Sequence, residues 1–198
     1  MSILNPLSID TPSLETEKSL QINIPFAFKP ACIWLTGLSG AGKSTIAEEL
    51  AAQLRSHGQA ATILDGDNLR AGLNKDLGFS IEDRAQSVRR TAEVAKLMVH
   101  ANLIVIVSLI SPIRIDRDSA KGLFLPEDFH EVFISTSLSV CESRDPKGLY
   151  KKARQGLIPN FTGLTSPYEE PLSPSIAIDT TLHSPDRCAA HILQHVFG

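Results

Sequence analysis

The chain has little cysteine and none of it is paired in a motif. Cys32, Cys141 and Cys188 are odd in number, far apart and form no C-x-x-C. That leaves no disulfide framework, and the three read as reduced, buried thiols of a cytoplasmic protein. Positive charge is not in excess either: 19 Lys and Arg stand against 22 Asp and Glu, for a net charge of −3. A general nucleic-acid binder would carry a broad basic surface, so no nucleic acid is expected as a partner. The longest apolar stretch, residues 103–110, is interrupted by Ser108 and falls far short of the ~20 residues that span a bilayer, so no membrane partner is expected. Residues 1–30 lack a basic segment followed by an apolar block, the signature of a signal peptide. They hold Pro6, Pro12, Pro25 and Pro30. Residues 1–24 therefore read as a loosely ordered leader, compatible with a dimer-binding arm and a homodimer, ahead of one domain over 25–198. Internal repeats and low-complexity tracts are lacking as well. The 198 residues suit one soluble domain with a single sizeable core.

What is present is concentrated in one string. Gly37-Leu38-Ser39-Gly40-Ala41-Gly42-Lys43-Ser44 follows the apolar run Ala31-Cys32-Ile33-Trp34-Leu35-Thr36. This is G-x-x-x-x-G-K-[ST], set between a buried strand and a helical stretch. Glycines let the backbone turn through positive φ, so that successive N–H groups face a phosphate. Lys43 is placed to reach the β- and γ-phosphates and Ser44 to offer its hydroxyl to Mg²⁺. The helix N-terminus adds partial positive charge where the anion sits. The string predicts binding of a nucleoside triphosphate and does not by itself say what is done with it.

Hydrophobic spacing orders the rest. Ile46, Ala47, Leu50, Ala51 and Leu54 fall on one face of a helix over 44–55, stopped by Gly58. A short strand over 60–64 ends at Asp65-Gly66-Asp67. Asp83 is a candidate cap for a helix over about 84–100, with Val88, Ala92, Ala95 and Val99 on its buried side. Residues 103–107 read as a central parallel strand, residues 131–135 as a fourth strand and 175–178 as a fifth. An amphipathic helix over 184–196 closes the chain. Strands alternating with helices predict an α/β fold of P-loop type: a parallel sheet with helices on both faces and ligands at the carboxyl ends of its strands.

The chemistry should gather at those strand ends. The strand over 103–107 leads into Ser108 and supplies no acid for the metal, so the nearest acids are Asp65 and Asp67. Asp67 is the candidate to orient or deprotonate an attacking hydroxyl and to help hold a Mg²⁺-bound water. Phosphoryl transfer needs mainly positioning and charge neutralisation, so a modest base suffices. The plain alternative is a solvated turn. Arg70, Arg84, Arg89 and Arg90 cluster downstream in an acidic chain, which points to an acceptor bearing phosphate- or sulfate-like oxygens. A second basic group, Lys147, Lys151, Lys152 and Arg154, lies between Pro146 and Pro159 with Gly148, Gly156 and Gly163 as hinges. The segment over about 146–169 reads as a mobile lid that excludes water. An ordinary amphipathic helix fits less well, since Tyr150 and Ala153 are its only suitably spaced apolar residues.

With these residues in view the chain resembles the adenylylsulfate kinase family. The resemblance is carried by Ile33 to Gly40, by Asp65-Gly66-Asp67-Asn68-Leu69-Arg70, by Gly72 to Ser80, by Ile110-Ser111-Pro112, by Arg144 to Arg154, and by Phe161-Thr162-Gly163 with Pro167-Tyr168-Glu169. It implies transfer of the γ-phosphoryl group of ATP, with Mg²⁺, to the ribose 3′-hydroxyl of adenosine 5′-phosphosulfate. It implies Asp67 as the catalytic acid with Asp65 beside it, and residues 37–45 (Thr45 included) with Arg144 on the ATP. It implies Arg70 and Arg84 on the phosphosulfate and Lys147 on the substrate side. Phe79 and Phe161 match aromatics that sandwich the substrate adenine; their plain reading is two core phenylalanines. Ile110 and Ser111 match the lining of that pocket, and Ser111 is the serine at which some members are described as forming a phosphoserine. Direct in-line transfer needs no such step.

The chain departs from the family pattern in places. Gln86-Ser87 stands where Glu-Asn is usual, so Ser87 offers the substrate a shorter reach and fewer donors. Ile113 occupies a position often aromatic or His, and His100-Ala101-Asn102-Leu103 replaces the usual Asp-Ala-Gly. These bear on substrate affinity more than on reaction type. Two rivals stay open at this level: another small-molecule P-loop kinase with a phosphate acceptor, and a non-catalytic nucleotide-binding module.

Overall fold

The computed structural model describes residues 28–198. The expected leader over 1–24 and the start of the domain at residue 25 lie outside the described residues. Five strands form one sheet in the order β2-β3-β1-β4-β5, every neighbour parallel. They are β1 (Ala31–Thr36), β2 (Ala61–Asp65), β3 (Ile104–Ser108), β4 (Phe129–Ile134) and β5 (Ile176–Ile178). The helices are α1 (Lys43–Ser56), α2 (Gly66–Ala71), α3 (Ile81–His100), α4 (Arg114–Lys121), α5 (Leu138–Arg144), α6 (Leu149–Arg154) and α7 (Pro185–Phe197), with a 3-10 turn at Pro126–Asp128. This is the predicted α/β architecture with a parallel sheet and helices on both faces. No helix among the described residues is long and apolar enough to cross a membrane.

The sheet is buried on both sides, and the two-residue period of a strand decides which side each residue serves. Along β1, Ala31, Ile33 and Leu35 join one core with α1 and α7, while Cys32 and Trp34 join the other with α3. The same split runs through β3, where Ile104 and Ile106 face the first core and Val105 and Val107 the second. β1 lies between β3 and β4, and all six of its residues are buried. The string after it therefore leaves the centre of the carboxyl edge. All three cysteines are free and buried, and burial pushes their thiols up, away from the reactive thiolate.

Several local expectations need correcting. Asp83 does not cap α3. Ser80 does, its Oγ accepting from the Asp83 amide at 3.1 Å, so the helix begins at Ile81 and is one turn longer than the apolar spacing indicates. The Asp83 carboxylate turns back to accept from the Gly78 amide at 3.0 Å. The segment over about 146–169 does contain a short amphipathic helix, α6, the alternative that its apolar spacing fits less well. Tyr150 and Ala153 are buried, and the Asp145 carboxylate accepts from the amides of Tyr150 and Lys151, both at 3.0 Å. Two apolar residues three apart are enough to seat a helix of six residues. Arg154 pairs with Glu142 on its outer side.

One ion pair crosses the second core. Arg117 on α4 is buried to 1%, and its Nε donates to Glu131 Oε1 on β4 at 2.7 Å. Its other nitrogens donate to the carbonyls of Ser111 and Glu169, each at 2.7 Å. A buried guanidinium is tolerable only when its donors are met in this way. Arg117→Met leaves the Glu131 carboxylate buried without its partner, and stability measured by urea unfolding should fall by about 3–5 kcal/mol; a loss below ~1 kcal/mol would show that the carboxylate finds other partners.

Candidate functional site

Three strand ends converge beside the glycine-rich loop. Gly37, Gly40 and Gly42 all hold positive φ, at 148°, 74° and 109°. At Gly37 the requirement is also steric, because a Cβ there would lie 2.6 Å from the Ile134 carbonyl oxygen on the adjacent strand. Lys43 opens α1 and folds back under the loop, its Nζ donating to the carbonyls of Gly37 (2.9 Å) and Leu38 (2.7 Å). Two of its three donors are thus used in positioning, which leaves one for a ligand. Burial is the main cause that lowers the Lys43 pKa to about 8, opposed in part by Asp65 and Asp67. Ser44 and Thr45 are exposed on the first turn of α1.

Asp65 joins this loop to the acidic turn. One oxygen of its carboxylate, Oδ2, accepts from Ser44 Oγ at 2.8 Å, and the other, Oδ1, accepts from the Asp67 amide at 2.9 Å. The second bond caps α2, so the turn after β2 is a helix and not the open turn its Asp-Gly-Asp composition allows. Ser108, opposite Asp65 in the β2–β3 register, brings its Oγ within 3.4 Å of Ser44 Oγ. The exposed Asp67 carboxylate pairs with Lys147, which reaches across from the loop between α5 and α6.

The basic and aromatic residues divide into two groups. Arg70 Nη1 donates to the Gly78 carbonyl at 2.9 Å, and its guanidinium lies 4.3 Å from the centre of the Phe79 ring. Phe79 is 57% exposed, far more than a core phenylalanine would be. Arg84 donates through Nε to the Phe79 carbonyl (3.1 Å) and through Nη2 to the Asn160 carbonyl (3.0 Å). It therefore ties the segment bearing Phe79 to the one bearing Phe161. Phe161 is buried edge-on against Tyr150, with ring centres 4.9 Å apart. Arg90 is committed to Asp76 by two bonds and Arg89 to Gln86. Ser87 is buried, and its hydroxyl accepts from Asn74 Nδ2 at 3.0 Å.

Ser111 sits just beyond β3 with a φ of 39°, rare for a residue with a side chain. It is buried, its Oγ accepts from Trp34 Nε1 at 3.1 Å, and its carbonyl accepts from Arg117. Its neighbour Ile110 is half-buried, with its carbonyl bonded by Thr36 Oγ1 at 2.8 Å. On the other flank of the loop, Arg144 Nη1 donates to Thr180 Oγ1 at 2.7 Å, and Thr180 Oγ1 donates to the Ala41 carbonyl at 2.9 Å. A cleft of about 550 Å³ also opens between β4 and residues 163–170, but it shares only Leu38 with the loop and contains none of Lys43, Asp65 and Asp67.

Four residues of this arrangement were not singled out by the sequence for what they do here. Thr180, Arg117, Tyr150 and Trp34 all act on the site from 70 or more positions away or from within a core, and no local pattern marks them. Arg117 lies among other charged residues in Arg114–Lys121, so its charge does not stand out from its neighbours.

Comparison with known proteins narrows the reading. The sequence model of the family described as adenylylsulphate kinase matches residues 29–179. An adenylyl-sulfate kinase of Bacillus licheniformis is 54% identical over 168 residues, 85% of each chain. One of Burkholderia ambifaria is 56% identical over 162 residues, 82% of this chain and 90% of that one. The structure of the Mycobacterium tuberculosis APS kinase CysC in complex with AMPPNP and APS superposes with a TM-score of 0.82 at 44% identity, covering 85% of this chain and 98% of that one. The match runs from just before the central strand to just past β5 and so takes in the loop, the acidic turn and both aromatic segments, and this chain belongs to the adenylylsulphate kinase family.

Proposed function

We propose that the chain transfers the γ-phosphoryl group of ATP to the ribose 3′-hydroxyl of adenosine 5′-phosphosulfate, giving 3′-phosphoadenosine 5′-phosphosulfate and ADP. The observation that carries the reading is the placement of Asp67 by Asp65, whose carboxylate also touches Ser44 of the phosphate loop. One group thus sets the acid and the phosphate cradle relative to each other. In the reaction the O3′–H bond breaks as the oxygen bonds to the γ-phosphorus and the bond to the ADP oxygen opens. Asp67 accepts the proton, and Lys147, paired with it, holds the carboxylate in place. The Lys43 ammonium meets charge on the β- and γ-phosphates, and Arg144 steadies the loop from the nucleotide side.

Mg²⁺ with ATP fits the donors present. Hydroxyl and carboxylate oxygens are hard ligands, and Ser44, Asp65 and, through water, Asp67 supply them within one cluster. When bound, the ion would neutralise charge on the β/γ-phosphates. The acceptor lies on the other side of Asp67, where Arg70 and Arg84 meet its phosphosulfate and Phe79 its adenine. Phe161, Ile110 and Ser111 complete the pocket, with Ser87 supporting it through Asn74. Residues 146–169 act as the lid: Lys147 and Tyr150 already rest on Asp67 and on the loop.

The reading is tested by ADP release with adenosine 5′-phosphosulfate against nucleoside monophosphates and sugars as acceptors. Turnover should require the sulfonucleotide; turnover of another acceptor alone would overturn it. Asp67→Asn should lower kcat by at least ~100-fold, whereas Ser111→Ala should keep kcat within about tenfold, since the buried serine serves the fold through Trp34 and transfer is direct. A dead Ser111→Ala enzyme of normal stability would instead require a phosphoserine.

Asp65→Asn retains a cap for α2 but loses charge beside Ser44. The Mg²⁺ concentration giving half-maximal rate should rise several-fold while the melting temperature changes little; an unchanged requirement would remove Asp65 from the metal site.

Lys43 gives a pH dependence with a definite sign. In the free protein its pKa is about 8, so above that pH the amine is increasingly neutral. A bound triphosphate favours the ammonium and raises the pKa. Nucleotide binding above pH 8 should therefore take up a proton, and affinity should fall as pH rises through 8 to 10. Calorimetry in buffers of different ionisation enthalpy at pH 8.5 measures the uptake, and zero uptake would refute it.

A further inference from the structure

Tyr150 makes two contacts that the reaction as described does not require. It is only 1% exposed, its hydroxyl donates to the Ser39 carbonyl at 2.9 Å, and its ring meets Phe161 edge-on at 4.9 Å. Burial raises its pKa, so the hydroxyl stays a donor. Helix α6 does not need either contact to begin, since the Asp145 carboxylate accepts from its amides at Tyr150 and Lys151. The Ser39 carbonyl and the Gly40 N–H belong to one rigid, planar peptide unit. Holding the oxygen on one side fixes the direction of the N–H on the other. Gly40 lies inside the glycine-rich loop with φ at 74°, and a Cβ there would lie 3.0 Å from the Cys141 carbonyl oxygen.

From Tyr150 the contacts continue without a gap. Phe161 follows Asn160, whose carbonyl is bonded to Arg84, and Arg84 also holds the Phe79 carbonyl. One chain of contacts thus runs from a phosphate-binding peptide to both aromatic segments.

We propose that Tyr150 is a positioning residue that couples the two substrate sites. Engagement of the Gly40 amide by a phosphate fixes the Ser39–Gly40 peptide, and the Tyr150 hydroxyl passes that constraint to Phe161. The aromatic pocket is thereby held in its binding position once the triphosphate is present. By linkage the effect is reciprocal: sulfonucleotide binding tightens the nucleotide by the same factor. The inference rests on the reaction proposed above.

The test is calorimetric, on the whole chain, with adenosine 5′-phosphosulfate and the non-transferring analogue AMPPNP. In the wild-type protein the Kd of each ligand should fall when the other is saturating, by one common factor. Tyr150→Phe keeps the ring and removes the hydroxyl. It should cut that factor by about fivefold, the worth of one ordinary hydrogen bond, whatever it does to the affinity of either ligand alone. Phe161→Leu keeps the Ser39 bond, removes the ring contact and should lower the factor as well, whatever it does to the sulfonucleotide Kd itself. An equal coupling factor in wild type and Tyr150→Phe overturns the inference, as does a wild-type factor of one. Wild-type protein that binds AMPPNP but no sulfonucleotide overturns the reaction assignment, and this inference with it.

Discussion

The site depends on one carboxylate serving two masters. Asp65 ends β2, caps α2 through one oxygen and receives Ser44 through the other. A carboxylate has two oxygens in a fixed plane, so these two bonds set the angle between the phosphate loop and the turn carrying Asp67. Neither element could do this alone. The loop is flexible by composition, with three positive-φ glycines, and α2 is only six residues long. Rigidity comes from the sheet beneath them, where β1, β3 and β2 lie in register and deliver Thr36, Ser108 and Asp65 to one edge.

Charge is distributed to match that geometry. Lys43 is buried and bound to the loop's own carbonyls, so little reorganisation is needed when an anion arrives. The price is a depressed pKa. The arginines do not wait free. Arg84 is spent largely on backbone carbonyls of two segments, and Arg117, fully buried, holds Ser111 and Glu169 in place around the end of β3. Both act first as architecture: they fix where the irregular backbone beyond the strand ends runs. Ser111 at positive φ is tolerated because Trp34 and Arg117 over-determine its position.

Much of this could be read from the sequence and some of it could not. The parallel sheet, the phosphate loop and the acidic pair follow from patterns a few residues long, where alternation, glycine spacing and a Lys-Ser pair carry their own physical meaning. The start of α3 was misplaced because Ser80 and Asp83 are both good caps, and only the fold around Gly78 decides that the aspartate turns away. Helices α2, α4 and α5 are only six to eight residues long, too short for hydrophobic spacing to announce them. In α6 the basic residues dominate the sequence while two buried residues decide the structure.

The chain by itself determined that a triphosphate cradle sits at the end of a buried strand, with an acidic turn and a cluster of arginines to follow. Those are local properties, set by backbone freedom and side-chain charge. Which arginine is bound to backbone carbonyls and which to a carboxylate, which aromatic is exposed and which is packed, and that Tyr150, Thr180 and Arg117 touch these segments at all were decided only by the fold. Each of those is a contact between residues tens of positions apart, and distance in sequence carries no information about it until the sheet brings the strand ends together.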